Sequence, residues 1–182
     1  QEVFVRDPGE VAVRAGAIYI LAYYAVPNGI DRATAQRELA PFADWLTDAE
    51  SAFLAAENPD EQTLVNFAWR FEAVWVLFWA LGMVDELGPP VGVQDVNVID
   101  EVFAKNGGMQ ALVDRRELRS PAEMLDQADY IMRVNWAIRE ARQKDQPVLG
   151  GFEPGVVQER HHALNWLICF EHNDWDSVDT PT

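Results

Sequence analysis

The chain has 182 residues, of which 49% are hydrophobic, and a formal net charge of −16 at pH 7. This length and apolar content predict one well-filled core and a single domain over residues 1–182. The acidic charge argues against nucleic acid and anionic membrane surfaces as partners, because both are bound through clustered Lys and Arg side chains. We expect a basic protein partner instead.

The sequence contains a single cysteine, Cys169. An intramolecular disulfide therefore cannot form, and a reducing cytoplasm is the expected location. The longest apolar run, residues 71–84, is interrupted by Glu72 and is shorter than the roughly 20 residues that a membrane-spanning helix needs. No stretch resembles a signal peptide. We expect a cytoplasmic protein that does not cross a membrane.

Start and stop signals predict four helices in the first half of the chain. The first spans residues 7–26 and stops at a Pro-Asn-Gly turn. The second spans 31–46 behind an aspartate cap, and the third spans 47–58 behind a Thr-Asp-Ala-Glu capping box. The fourth, 60–81, carries five aromatic residues on one broad face, and its second half is apolar nearly all round. Such a pattern is typical of a central helix with neighbours on several sides.

The second half of the chain begins with a less regular stretch, 83–106, which contains a short predicted helix at 96–104. A Ser-Pro-Ala-Glu signal then starts a long helix over 120–144. A final amphipathic helix is predicted over 156–170, and the tail from 173 to 182 is expected to be irregular. Together these signals predict an all-α, single-domain, bundle-like fold with about six or seven helices around a tryptophan-rich central helix.

Four charged residues fall on the predicted apolar faces of core helices. They are Arg14, Glu72, Arg139 and Arg160, placed by the helical period of about 100° per residue. An ionised group leaves water only if a group inside the protein pairs with it. We therefore expect Glu72 to meet one of these arginines.

Two interpretations of these residues remain open. They could form a structural set of ion pairs, or they could line the floor of a site that binds a phosphate or carboxylate. In the second case Glu72 or Glu159 would serve as acid or base and His161 would carry a proton. The candidate ligand-binding residues are Arg14, Glu72, Arg139, Glu159, Arg160 and His161.

Glu159 and His162 have the Glu-x-x-His spacing that di-metal proteins use on bundle helices. Such a site needs the motif on two helices, and the sequence has no second copy. His162 is also expected to point away from the core. We therefore predict no metal site and no cofactor. The sequence has no phosphate loop, dinucleotide fingerprint or nucleophile elbow, and catalytic residues cannot be assigned.

Several motifs are spread over almost the whole chain. They are Trp69-Arg70-Phe71-Glu72, residues 77–82, Leu118-Arg119-Ser120-Pro121, Trp136-Ala137-Ile138-Arg139, residues 159–167 and Asp174-Trp175-Asp176. Together they resemble the bacterial domain-of-unknown-function family numbered 4272. The resemblance implies a bacterial, cytoplasmic, helical protein and supplies no activity. It marks Arg70, Glu72, Arg139, Glu159 and Arg160 as motif positions.

We predict a non-catalytic interaction protein whose acidic surface meets a basic protein partner. The alternative is a small-molecule binding protein or an enzyme that acts on an anionic ligand through the Arg/Glu cluster. The first hypothesis predicts an exposed acidic or apolar surface, and the second predicts a concave site lined by arginine.

Overall fold

A computed structural model describes residues 4–182, apart from the side chain of Leu149. Within that range the chain forms a single all-α domain of eight helices, without strands. Seven helices have eight residues or more, which confirms the predicted fold class. The helices are α1 (Pro8–Ala25), α2 (Arg32–Leu39), α3 (Asp48–Ala55), α4 (Glu61–Ala80), α5 (Val96–Lys105), α6 (Gly108–Val113), α7 (Pro121–Gln143) and α8 (Pro154–Leu167).

The predicted start signals act as N-caps. The side chains of Asp7, Asp31 and Asp60 accept hydrogen bonds from backbone N–H groups in the first turns of α1, α2 and α4. Thr47 and Ser120 form capping boxes at the starts of α3 and α7. Each such cap stabilises its helix by about 1 kcal/mol. The local sequence therefore fixed where these five helices begin.

Helix α4 is the centre of the domain. It packs against α1 and α8, while α7 packs on α8. All ten residues from Phe71 to Ala80 are buried, including Trp75 and Trp79. A helix that is apolar all round needs neighbours on several sides, and α4 has them. No helix among the described residues is long and apolar enough to cross a membrane.

Several elements differ from the prediction, among them the short helix α6, which no sequence signal predicted. Helix α2 ends at Leu39 and continues as a 3-10 turn over Ala40–Trp45, because Pro41 lacks the N–H group that an α-helix requires. Helix α8 ends at Leu167, and Cys169 follows in a left-handed conformation with φ of 52°. The tail, expected to be irregular, contains a 3-10 turn over Trp175–Ser177.

Helical periodicity predicts a buried stripe on α7, and this prediction is wrong for three of its six residues. The predicted stripe is Leu125, Ala128, Met132, Asn135, Trp136 and Arg139. Trp136 is 52% exposed, and Met132 and Arg139 are also exposed. Because α7 carries apolar residues on more than one face, its periodicity does not decide which face is buried; the docking of α8 does. The residues that α7 buries are Met124, Ala128, Ile131, Val134, Asn135 and Ile138.

Candidate functional site

The deepest charged group is the pair between Arg160 of α8 and Glu72 of α4. The Arg160 Nε atom lies 3.2 Å from Oε2 of Glu72, and the two residues are 3% and 0% exposed. Nη1 of Arg160 also donates to the carbonyl oxygens of Leu87 and Gly88, and the backbone N–H of Gln94 donates to Glu72. The predicted meeting of Glu72 with an arginine is confirmed. This pair ties the loop between α4 and α5 to the core.

The second pair joins Arg14 of α1 to Glu50 of α3. Nη1 of Arg14 lies 2.8 and 2.7 Å from the two carboxylate oxygens, and its Nη2 donates to the carbonyl oxygen of Trp45 at 2.8 Å. Glu50 also accepts from the backbone N–H of Thr47. One carboxylate therefore closes the α3 capping box and neutralises Arg14. Sequence reasoning found the first role only, because the second depends on how α1 and α3 meet.

A third pair joins Arg70 of α4 to Glu159 of α8 at 3.0 Å. Both side chains are partly buried. Burial raises the pKa of Glu159, and the neighbouring Arg70 opposes that shift. The family resemblance marked both residues, whereas the analysis of helix faces did not.

Trp175 of the tail lies between the second and third pairs. The guanidinium groups of Arg14 and Arg70 lie 5.6 and 5.9 Å from the centre of its ring. The rings of His162 and Trp166 approach it in T-shaped arrangements, at 4.6 and 5.3 Å. Cations at this distance are attracted by the face of an indole ring. Side chains from α1, α4 and α8 therefore converge on one residue of a segment that has little regular structure.

The two neighbouring histidines lie in different surroundings. His161 is buried, and its Nδ1 atom lies 3.1 Å from the amide nitrogen of Asn135 on α7. Burial lowers the pKa of His161 to about 4, so the ring is neutral at pH 7 and accepts this hydrogen bond. The expectation that His162 points away from the core is wrong, because its ring packs on Trp175. Burial, together with Arg70, lowers the pKa of His162 to about 3.

A cleft of about 530 Å³ lies beside Trp175, and we call it the tail-side cleft. Trp45 stands at its edge with 49% of its surface exposed, while Trp166 and Trp175 are buried beneath it. Arg14 also lines the cleft, but Glu50 neutralises its charge. Arg6 likewise pairs with Glu10 at 3.1 Å, and the other carboxylates make the cleft acidic. Its carboxylates are those of Glu10, Asp44, Asp48, Asp174 and Asp176.

A second acidic cleft of about 500 Å³ lies where the loop after α4 meets α7, and we call it the α7-side cleft. Arg119 lines it and donates to the carbonyl oxygens of Trp79, Val84 and Asp85. Tyr130 is its exposed aromatic residue. Its carboxylates are those of Asp85, Glu86, Glu123 and Asp126.

Three arginines at the end of α4 were not among the predicted site residues, although Arg119 belongs to a motif of the family resemblance. Arg115, Arg116 and Arg119 line one cleft of about 510 Å³ there. Arg115 donates to the carbonyl oxygen of Leu81, and Arg119 donates to that of Trp79. The carboxyl end of a helix carries partial negative charge, which these cations offset. These caps come from residues 34 and 40 positions further along the chain, so no local pattern could identify them.

The structure does not bring the three predicted arginines together. Arg14 contacts Glu50, Arg160 contacts Glu72, and Arg139 lies on the exposed face of α7. The placement of Arg139 on a buried face is therefore a wrong prediction. In residues 4–182, no three His, Cys, Asp or Glu side chains are grouped so that they could hold a metal ion.

The comparisons with known proteins agree with the motifs of the sequence. The family described as Domain of unknown function (DUF4272) matches residues 1–178. No curated protein and no solved structure matches the chain. Because the match covers nearly the whole sequence, the resemblance is confirmed, and the chain belongs to the DUF4272 family.

Proposed function

We propose that this protein is a non-catalytic binding protein whose tail-side cleft receives a basic segment of a protein partner. The observation that carries the proposal is the combination of five carboxylates with the exposed indole of Trp45 in one cleft. A carboxylate attracts Lys or Arg over several ångströms, and an indole face binds the cation at short range. A basic peptide offers both kinds of contact.

The ion pairs around the cleft favour a cationic ligand over an anionic one. Glu50 neutralises Arg14, and the carboxylates of Asp44, Asp48 and Asp176 are exposed. Complementary charge of this kind accelerates encounter and weakens with added salt. An anionic ligand would meet net repulsion in the cleft. The alternative prediction of an anionic ligand held by Arg14, Arg139 and Arg160 stays a prediction, and their separate surroundings do not favour it.

The test is the affinity of a labelled Arg-rich peptide, measured by fluorescence anisotropy at low and high salt. The double change Asp44→Asn with Asp48→Asn is expected to weaken binding by about tenfold at low salt. Trp45→Ala should weaken it by about fivefold, because a cation–π contact contributes about 1 kcal/mol.

The matched control is the double change Asp85→Asn with Glu86→Gln in the α7-side cleft. It also removes two negative charges, but from the other acidic cleft. The two double variants therefore have the same net charge. We expect only a small loss of affinity. Equal losses in the two double variants would show that net charge alone attracts the peptide, and the proposal would then be wrong.

A further inference from the structure

We infer that the slot filled by Trp175 is a tryptophan-binding site, and that the C-terminal segment from 173 to 182 is its releasable intramolecular ligand. The slot is built by the folded helices and not by the segment itself. Arg14 comes from α1, Arg70 from α4, and His162 and Trp166 from α8. Trp175 alone is supplied by the tail, and it is 3% exposed.

The chemistry of the slot suits an indole ring. Two guanidinium groups face the ring of Trp175, and an imidazole and a second indole meet it in T-shaped geometry. Each guanidinium already has a carboxylate partner, Glu50 for Arg14 and Glu159 for Arg70. Their positions are therefore held whether or not the ring is present. A site held in place in this way is ready to accept a ring from another chain.

Few hydrogen bonds hold the rest of the segment. Arg6 donates to the carbonyl oxygen of Asn173, Asn165 to that of Asp179, and the Gln158 amide to the hydroxyl of Thr180. All three donors are side chains. Within residues 4–182, no backbone-to-backbone hydrogen bond joins residues 174–182 to the helices. Segments with so few such bonds are the ones that open locally while the core stays folded.

The connection before the segment is strained. Cys169, Glu171 and His172 have φ values of 52°, 53° and 57°, in the left-handed region that residues with a Cβ atom seldom adopt. These residues hold this conformation while the chain reverses from the end of α8 towards the slot. Release of Trp175 would let them return to ordinary conformations. The strain therefore favours the released state of the segment from 173 to 182, which we call the strap.

Release would join two cavities into one groove. Trp175 and Asp176 line both the tail-side cleft and a cavity of about 200 Å³ that also contacts Glu50 and Arg70. Without the segment, the wall between these cavities is gone. The groove then accepts a tryptophan-bearing segment of another chain. If the proposed function holds, release also removes Asp174 and Asp176 from the tail-side cleft and weakens binding of the basic partner.

The first experiment uses the full chain with Trp175→Ala and a labelled peptide that has the sequence of residues 173–182. We expect this peptide to bind the variant at least tenfold more tightly than it binds the unchanged protein, whose slot is already filled. A peptide in which the tryptophan is replaced by alanine should not bind. If the Trp175→Ala protein folds and does not bind the peptide, the inference is wrong.

The second experiment does not depend on the folding of that variant. The unchanged protein is labelled with 5-fluorotryptophan, and the Trp175 resonance is assigned by its loss in Trp175→Phe. Fluorine NMR should show this resonance exchanging with a minor state while those of Trp75 and Trp79 do not. A Trp175 resonance without exchange would contradict a releasable strap. Neither experiment uses a basic ligand, so either can fail while the proposed function stands.

Discussion

The Arg160–Glu72 and Arg14–Glu50 pairs have the same chemistry and different surroundings. The first lies at the centre of the domain, with side chains 3% and 1% exposed. In the second, Arg14 lines the tail-side cleft and Glu50 lines the smaller cavity beside Trp175, with side chains 11% and 4% exposed. Arg160 and Glu72 hold backbone groups of the loop after α4, whereas Arg14 and Glu50 hold those of Trp45 and Thr47. Arg14 also faces the ring of Trp175. The comparison separates a charge pair that organises the fold from one that shapes a surface.

The difference follows from what surrounds each charge. A buried ion that loses its partner keeps the full cost of its desolvation, whereas one beside a cleft recovers part of its hydration from entering water. Loss of one partner should therefore cost more in the first pair than in the second. Two measurements test this expectation, and a third tests the burial of the two histidines next to these pairs.

The largest effect is expected from Glu72→Gln. This change leaves the Arg160 guanidinium buried without a carboxylate, which costs about 3–5 kcal/mol of the free energy of unfolding. Urea denaturation followed by circular dichroism measures it. The double variant Glu72→Leu with Arg160→Met should recover much of the loss, because no charge is then left unpaired. A double variant as unstable as Glu72→Gln would contradict this account.

A smaller effect is expected from Arg14→Met. The Glu50 carboxylate keeps its hydrogen bond from the backbone N–H of Thr47 and lines the cavity of about 200 Å³ beside Trp175, where water can enter, so we expect a loss of about 2 kcal/mol. The same denaturation experiment measures it. Arg133→Met is the control, because Arg133 forms an exposed pair with Asp129 on α7 and should change stability by less than about 0.5 kcal/mol. A loss as large as that of Glu72→Gln would show that water does not stabilise the Glu50 carboxylate once Arg14 is removed.

The smallest effect, counted for one histidine and one pH unit, is the dependence of the free energy of unfolding on pH through His161 and His162. Their pKa values fall from 6.5 to about 4 and about 3 on folding, so between these values and 6.5 the unfolded chain binds protons that the folded chain does not. Their contribution is present above pH 6.5 and is lost as the pH falls. Each histidine contributes up to about 1.4 kcal/mol per pH unit.

Urea denaturation at several pH values between 4.5 and 6.5 measures this slope. Carboxylates also titrate below pH 5, so the useful quantity is the difference between the unchanged protein and each of His161→Gln and His162→Gln. In each variant the free energy of unfolding should depend less steeply on pH, by the amount that corresponds to about one bound proton. If His162→Gln kept the original slope, the His162 ring would not be shielded by Trp175.

Helix starts could be predicted from the sequence because their causes are local. Asp7, Asp31, Thr47, Asp60 and Ser120 bind backbone groups two or three residues away, and these interactions exist in any fold that contains those helices. The central position of α4 was predictable for a related reason, since a helix that is apolar all round can lie only inside.

The candidate site was less predictable because it depends on distant residues. Helical periodicity predicted the buried positions of Glu72 and Arg160. It failed for Arg139, which is exposed, because α7 has apolar residues on more than one face. The partner of Arg14 is 36 positions away on α3, and Trp175 belongs to a segment without periodicity. No pattern in the sequence indicates which of several carboxylates will meet a given arginine.

The sequence by itself determined the all-α fold, the ends of most helices, the acidic charge and the need for Glu72 to find a cation, because these depend on short-range interactions and on composition. The tertiary structure alone decided which face of α7 is buried, which carboxylate meets each arginine, and that Trp45, Trp175 and five carboxylates form one cleft. The reason is that these contacts join segments far apart in the chain, and only the tertiary packing of those segments brings them together.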